Sequence, residues 1–288
     1  MDQQRLVFVV IDGMADTVAE RMLGYMEGLV EQQIALRAHV QSTLPSLSRP
    51  CYETIFTGSN PHVHGVTANE VVRRSNQESL FDIVRSHGLV SAVSAYYWVS
   101  ELYHEAPFHR VLHREQTDND HGFQHGRFYF EDAYPDSHVY VDAEVMRVRH
   151  QPHLLVIHPM GVDDAGHKHG VDSREYHGQV LLNDVVLANL VPGWLEAGYQ
   201  VVVTADHGMD ELGYHGGTPS IMRRTPLYVI SPRLKLTGRV QDVMPQPMIA
   251  HFLCELLGLQ KGPGMRELPQ SLIENWFTTN RTDGGSNA

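Results

Sequence analysis

Five short apolar stretches punctuate this chain, at residues 6–11, 89–97, 154–157, 200–203 and 226–230. Each has the length and the Val, Ile and Tyr content of a strand. Residues 6–11 contain no polar position, as expected for a central parallel strand covered on both faces. Between the stretches the apolar residues fall at helical spacing. Met22, Tyr25, Met26, Leu29 and Val30 predict a helix over 17–37, and similar patterns predict helices over 78–87, 173–195, 248–257 and 272–276. The long helix is expected to be interrupted or to end near Pro192-Gly193. A short helix over 52–57 closes on Gly58. Strand–helix alternation of this kind predicts an α/β fold, a mostly parallel central sheet with helices on both faces. Residues 1–279 then form one domain. Residues 98–137, rich in His, Tyr, Phe and Asp, are expected to be an insertion that caps the site and sets substrate choice. The polar, Gly-rich tail 280–288 is expected to be disordered. The chain contains no internal repeat.

Chemistry collects where the strands should end. Asp12 follows the first apolar run and precedes Gly13; Asp206-His207-Gly208 follows 200–203; His215 lies eight residues further on, in a Gly-flanked loop. The 154–157 strand runs through His158 into a Gly-containing loop that carries Asp163 and His167. In open α/β sheets the carboxyl ends of parallel strands share one edge, so residues distant in sequence converge there. Asp12, Asp163, His167, Asp206, His207 and His215 are enough for two metal ions with three protein ligands each, which leaves coordination positions open for catalysis. Carboxylate and imidazole without thiolate suit zinc, with manganese and iron as alternatives. Two dications would also remove the repulsion among three carboxylates in one pocket. Asp120-His121-Gly122 repeats the Asp206–Gly208 triplet, but no apolar strand precedes it, and it is read as a decoy. Ser48 stands at the start of the 52–57 helix, with Pro50 in the first turn. The local sequence by itself favours a helix cap there. The other reading is a nucleophile beside the positive end of a helix, where a phosphate is also welcome.

Composition narrows the picture. At 288 residues with 42% apolar content the chain can bury a substantial core, and a net charge of −12 argues against nucleic acid as a partner. Nineteen histidines is a high count. Cys51 and Cys254 are far apart and form no metal-knuckle pattern, which suits a reducing compartment. The start of the chain lacks the features of a signal peptide, and no segment approaches the length of a membrane span, so a cytoplasmic protein without a membrane partner is expected.

Four motifs in order carry a resemblance: Val10-Ile11-Asp12-Gly13; Ser48-Arg49-Pro50 with Thr57-Gly58 and His64-Gly65; Asp163-Asp164-Ala165-Gly166-His167; and Asp206-His207-Gly208-Met209 with His215-Gly216-Gly217. The chain resembles the alkaline phosphatase superfamily, and within it the type I phosphodiesterase/nucleotide pyrophosphatase branch, from residue 6 to about 228. The 98–137 region matches poorly. The resemblance implies an alkaline phosphatase-like core and two divalent metal ions. Asp163, His167 and His215 would hold one, and Asp12, Asp206 and His207 the other. It implies Ser48 as nucleophile and metal neighbour, with Ser46 as fallback, and Asn69 as a donor to a phosphoryl oxygen. Arg49 could meet phosphate or face solvent. His64 matches a recurrent family histidine with no role beyond loop structure. Cys51 departs from the asparagine common three residues after the nucleophile. The phrases 158–163 and 206–217 also resemble the phosphoethanolamine transferases of glycolipid-anchor synthesis, membrane proteins that share the catalytic core. The implied function is two-metal hydrolysis of a phosphodiester or pyrophosphate bond in a small phosphorylated molecule, through a phosphoserine intermediate. Alternatives are a phosphonate hydrolase, a phosphomonoesterase, or a non-catalytic metal- or ligand-binding homologue. A sulfatase is disfavoured, since no Cys-x-Pro-x-Arg site stands at the nucleophile.

Overall fold

A computed structural model describes residues 3–119 and 122–278. The 280–288 tail and the Asp120-His121 pair lie outside the described residues. The chain begins with β1 (Arg5–Val10), two short helices α1 (Asp16–Met22) and α2 (Gly24–Glu31), and β2 (Leu36–Gln41). Helices α3 (Ser48–Thr57), α4 (Pro61–His64) and α5 (Leu80–Ser86) lead to β3 (Ser91–Tyr96) and α6 (Tyr97–Tyr103). Then come β4 (Glu115–Thr117), β5 (His125–Tyr129), α7 (Asp136–His150), β6 (Leu154–Ile157), α8 (Gly161–His169), α9 (Arg174–Glu196) and β7 (Tyr199–Thr204). The last part is α10 (Ser220–Arg223), β8 (Arg224–Ile230), β9 (Gly238–Pro245), α11 (Ile249–Leu257) and α12 (Gln270–Trp276).

The nine strands form one sheet in the order β4-β5-β3-β6-β1-β7-β8-β2-β9. Its centre, from β5 to β7, is parallel throughout; β8 runs against both neighbours, and β4 runs against β5. The expected α/β class is therefore the observed one. The pleat of β1 divides the core. Leu6, Phe8 and Val10 pack with α3, α5, α6 and α11 on one face, while Val7, Val9 and Ile11 pack with α1, α2, α7 and α9 on the other. Every one of these six residues is buried, which is why the run 6–11 carries no polar position.

Several boundaries differ from the sequence expectation. The helix expected over 17–37 breaks at Leu23 and gives way to β2. Polar Arg37 and His39 obscure this strand in the sequence. Both are buried, because Asp16 and Glu27 of the preceding helices accept ion pairs from Arg37 and Asp16 also meets His39. The loop expected around Asp163 and His167 is the helix α8, whose Gly166 lies where a Cβ would fall 2.7 Å from Met209 Cε. Helix α9 runs through Pro192 to Glu196. Segment 98–137 holds α6 from its second residue on and completes one side of the sheet, with β5 paired in parallel to β3. Among the described residues no helix is long and apolar enough to cross a membrane.

Candidate active site

Asp12 sits two residues past β1, Asp206 two residues past β7 and His207 beside it, so three ligand atoms meet at the sheet's carboxyl edge. All three side chains are fully buried. His207 Nε2 lies 3.2 Å from Asp206 Oδ2 and 3.4 Å from Asp12 Oδ1. Each carboxylate has one oxygen held. Asp206 Oδ1 accepts the backbone N–H groups of Gly13 (3.1 Å) and His207 (2.8 Å), and Asp12 Oδ2 accepts the Tyr52 hydroxyl and meets His158 Nε2 at 3.1 Å. The other oxygens, Asp12 Oδ1 and Asp206 Oδ2, are buried with no hydrogen-bond partner. Gly13 permits this packing: its φ is +70°, and a Cβ there would lie 2.8 Å from Asp163 Oδ1.

A second cluster adjoins the first. Asp163 and His167 are one turn apart on α8, so they share a face, and Asp163 Oδ2 lies 3.3 Å from His167 Nε2. His215 arrives from the loop after β7, and its Nε2 is 3.2 Å from that of His167. The His215 and His207 rings stack at 3.7 Å and join the clusters. Backbone carbonyls orient all three imidazoles. Nδ1 of His167 faces Gly213 O, that of His215 faces Ser46 O, and that of His207 faces Gly208 O, at 2.8–2.9 Å. With each Nδ1–H spent on a carbonyl, the Nε2 lone pairs point into the clusters.

These two triplets fit divalent cations on their own chemistry. Burial, reinforced by Asp163, pushes the Asp12 carboxyl well above its ordinary range, and burial with the Asp12 charge does the same to Asp206. Burial pushes the His207 imidazole well below its ordinary value, so it brings a lone pair rather than a proton. Asp12 Oδ1 and Asp206 Oδ2 converge there with no donor between them, and a cation resolves that conflict. In the second cluster, burial acts against the Asp163 carboxylate, but the His167 hydrogen bond and the neighbouring imidazoles hold its pKa below the usual range. The Asp163 hydrogen bond in turn raises His167 to about 9, so a proton on His167 meets this carboxylate when no cation does.

Ser48 is the first residue of α3, and its side chain caps nothing. Its Oγ lies 3.0 Å from His207 Nε2. The capping bond expected of Ser48 comes from Asn69, whose Oδ1 accepts the Arg49 N–H at 3.0 Å. That bond fixes the Asn69 amide, so its NH₂ group is the end left to donate. Ser46, the fallback nucleophile, is engaged with the loop after β7: its Oγ donates to Gly217 O at 3.2 Å and accepts from Gly216 N at 3.1 Å. Arg49 does not face solvent. It is buried, with Nη1 2.8 Å from Glu101 Oε2 and the guanidinium 4.6 Å from the Trp98 ring centroid. His64 has a physical role after all. Its Nδ1 accepts from Val66 N–H and its Nε2 donates to Thr54 Oγ1 at 3.1 Å, so it latches α4 to α3; burial lowers it to about 4.

Sequence reasoning missed His158 and Tyr52, which brace Asp12. Burial lowers His158 to about 4. The signal for His158 was its position at the end of the 154–157 strand, level with Asp12. Tyr52 had no signal, since a tyrosine inside a short helix reads as core.

A parallel sheet whose carboxyl edge gathers two carboxylate–imidazole clusters beside a helix-start serine has the layout of an α/β phosphoric ester hydrolase. A family model described as type I phosphodiesterase / nucleotide pyrophosphatase matches residues 6–224, and the chain belongs to that family. Murine ectonucleotide pyrophosphatase / phosphodiesterase 5 superposes with a TM-score of 0.75 at 13% identity, covering 95% of this chain and 100% of that one. Among curated proteins, the human GPI ethanolamine phosphate transferase 3 catalytic subunit is 35% identical over 109 residues, 37% of this chain and 10% of that protein. GPI ethanolamine phosphate transferase 2 of Debaryomyces hansenii is 22% identical over 241 residues, 81% of this chain and 26% of that protein. The chain thus spans a tenth to about a quarter of the length of these relatives.

Proposed function

We propose that this chain is a metal-dependent hydrolase of phosphodiester or pyrophosphate bonds in small phosphorylated molecules, and that Ser48 is its nucleophile. One observation carries the reading: Ser48 Oγ is free of capping duty and lies 3.0 Å from His207 Nε2, where the two clusters meet. Asp12, Asp206 and His207 would hold one divalent ion, and Asp163, His167 and His215 the other, with zinc the best match to the donor set. When bound, such ions supply Lewis acidity and neutralise charge on the transferring phosphoryl group. Ser48 Oγ gives up its proton and attacks phosphorus in line as the bond to the leaving oxygen breaks and that group departs; water then cleaves the phosphoseryl ester, restoring the serine and releasing the phosphoryl product. The Asn69 NH₂ group donates to a phosphoryl oxygen as charge develops. Tyr52 and His158 keep Asp12 in place, and the Gly13 and His207 amides do the same for Asp206. A cytoplasmic location belongs to the proposal, supported by the buried free thiols of Cys51 and Cys254.

The test is turnover of bis-p-nitrophenyl phosphate, p-nitrophenyl phosphate and phosphonoacetate by the metal-reconstituted protein. We expect the diester to be preferred, with activity lost in Asp206→Ala, and in Ser48→Ala while metal stays bound. Phosphate release from phosphonoacetate alone would instead select carbon–phosphorus cleavage. A second reading rests on the names of the curated relatives: the phosphoseryl group passes to an alcohol instead of water. Adding glycerol to the diester assay separates the two, since a transferase yields a glycerol phosphodiester.

A further inference from the structure

Arg49 follows the proposed nucleophile directly and is held at both ends. Its backbone N–H is bound by Asn69, and its guanidinium is clamped between Glu101 and the face of Trp98, both on α6. Glu101 is buried and divides its two oxygens between two partners. Oε2 lies 2.8 Å from Arg49 Nη1, and Oε1 accepts the Phe108 N–H at 2.9 Å. Phe108 in turn packs on Tyr97, with ring centroids 5.2 Å apart. One carboxylate therefore ties the start of the nucleophile helix to α6 and to the loop after it. A buried ion pair is poor evidence for stability, because desolvation offsets most of its Coulomb attraction; fixing one geometry is a better-attested use.

We propose that Glu101 is a positioning residue for Ser48. Through Arg49 it fixes where the first turn of α3 presents the serine oxygen, and through Phe108 it makes the 104–113 loop move with that turn. The proposal rests on Ser48 being the nucleophile. It gives part of the 98–137 segment a defined mechanical connection to the reacting group.

Two measurements on the full-length, metal-loaded chain test it. In steady-state turnover of bis-p-nitrophenyl phosphate, Glu101→Ala is expected to lower kcat by about 10- to 100-fold, the cost of misplacing a reacting group. KM should stay within about 2-fold, since the loss falls on the transition state. Glu101→Gln should recover kcat only in part, because its amide offers one acceptor oxygen where two donors are held and carries no charge to face Arg49. In hydrogen exchange, Glu101→Ala should speed exchange both in peptide 104–112 and in the first turn of α3. Wild-type kcat in Glu101→Ala, or faster exchange confined to 104–112, overturns the proposal. If the alanine variant does not fold, Arg49→Lys replaces it; it keeps the charge but loses the planar stack on Trp98. Lowered kcat with coupled exchange supports the clamp, and unchanged kcat refutes it. A wild-type protein that does not turn over the diester refutes the diesterase reading instead, and the exchange experiment then decides the clamp on its own.

Discussion

Asn69 has a structural duty, and the proposed function gives it a chemical one. Its oxygen caps α3 by accepting the Arg49 N–H, and that bond leaves its NH₂ group as the free end of the amide. The two roles separate by substitution. We predict that Asn69→Asp keeps the acceptor, holds the melting temperature near wild type, and lowers kcat/KM by about 100-fold or more, because a donor to developing charge is replaced by a carboxylate. Asn69→Ala should lose activity as well and also about 1 kcal/mol of stability with the cap. Parallel kinetics and thermal melts check both, and equal stability in the two variants would refute the capping role. The sequence places Ser48 at the start of a helix but says nothing of what caps it. The cap lies 20 positions away, across a loop, and only the folded backbone brings it there.

At the scale of elements, α3 is buried along its whole length and carries Glu53 into the interior. Ser75 Oγ donates to Glu53 Oε1 at 2.8 Å, while Oε2 has no partner. Burial raises this carboxyl from 4.5 to about 7, with Ser75 and Arg73 opposing it only in part. The folded protein therefore binds a proton that the unfolded chain releases near 4.5. The stabilising contribution is whole below pH 4.5 and is lost as pH rises through about 7. We predict that Glu53→Gln, which keeps an acceptor for Ser75, flattens the decline in stability between pH 5 and pH 8. At pH 8 it should exceed wild type by about 2 kcal/mol. Urea melts across this range check it, and parallel curves for the two proteins would refute it. The same scale explains the element boundaries. β2 was hidden because its polar residues are neutralised by partners on α1 and α2, which no local pattern reveals. Helix α8 was hidden by its glycines, although the four-residue spacing of Asp163 and His167 is that of a helix face.

For the molecule as a whole, the carboxyl edge of the sheet stores an electrostatic conflict. Asp12 Oδ1, Asp163 Oδ1 and Asp206 Oδ2 are buried without hydrogen-bond partners within one joined pair of clusters. A ligand that binds only the folded state stabilises it by about 2.7 kcal/mol at 100 times its Kd. We predict that Zn²⁺ or Mn²⁺ raises the melting temperature of chelator-treated protein by several degrees, while Mg²⁺ does so less, since imidazole ligands suit it poorly. The shift should shrink in Asp206→Ala. Differential scanning calorimetry checks this, and an equal shift in the variant would place the metal elsewhere.

By itself the sequence determined the layer order of the fold and six polar residues for its carboxyl edge. Both follow from local physics: uninterrupted apolar runs demand burial on both faces, and parallel strands end on one side. The tertiary structure alone decided how those residues are aimed. Three backbone carbonyls choose the tautomers of His167, His207 and His215, Tyr52 and His158 brace Asp12, and Arg49 pairs with Glu101. Apart from the Gly208 carbonyl next to His207, each of these depends on a partner from another element. A charge or a hydrogen-bond donor far away in sequence leaves no periodic trace, and only the closed fold sets which oxygen is satisfied and which is left unpaired.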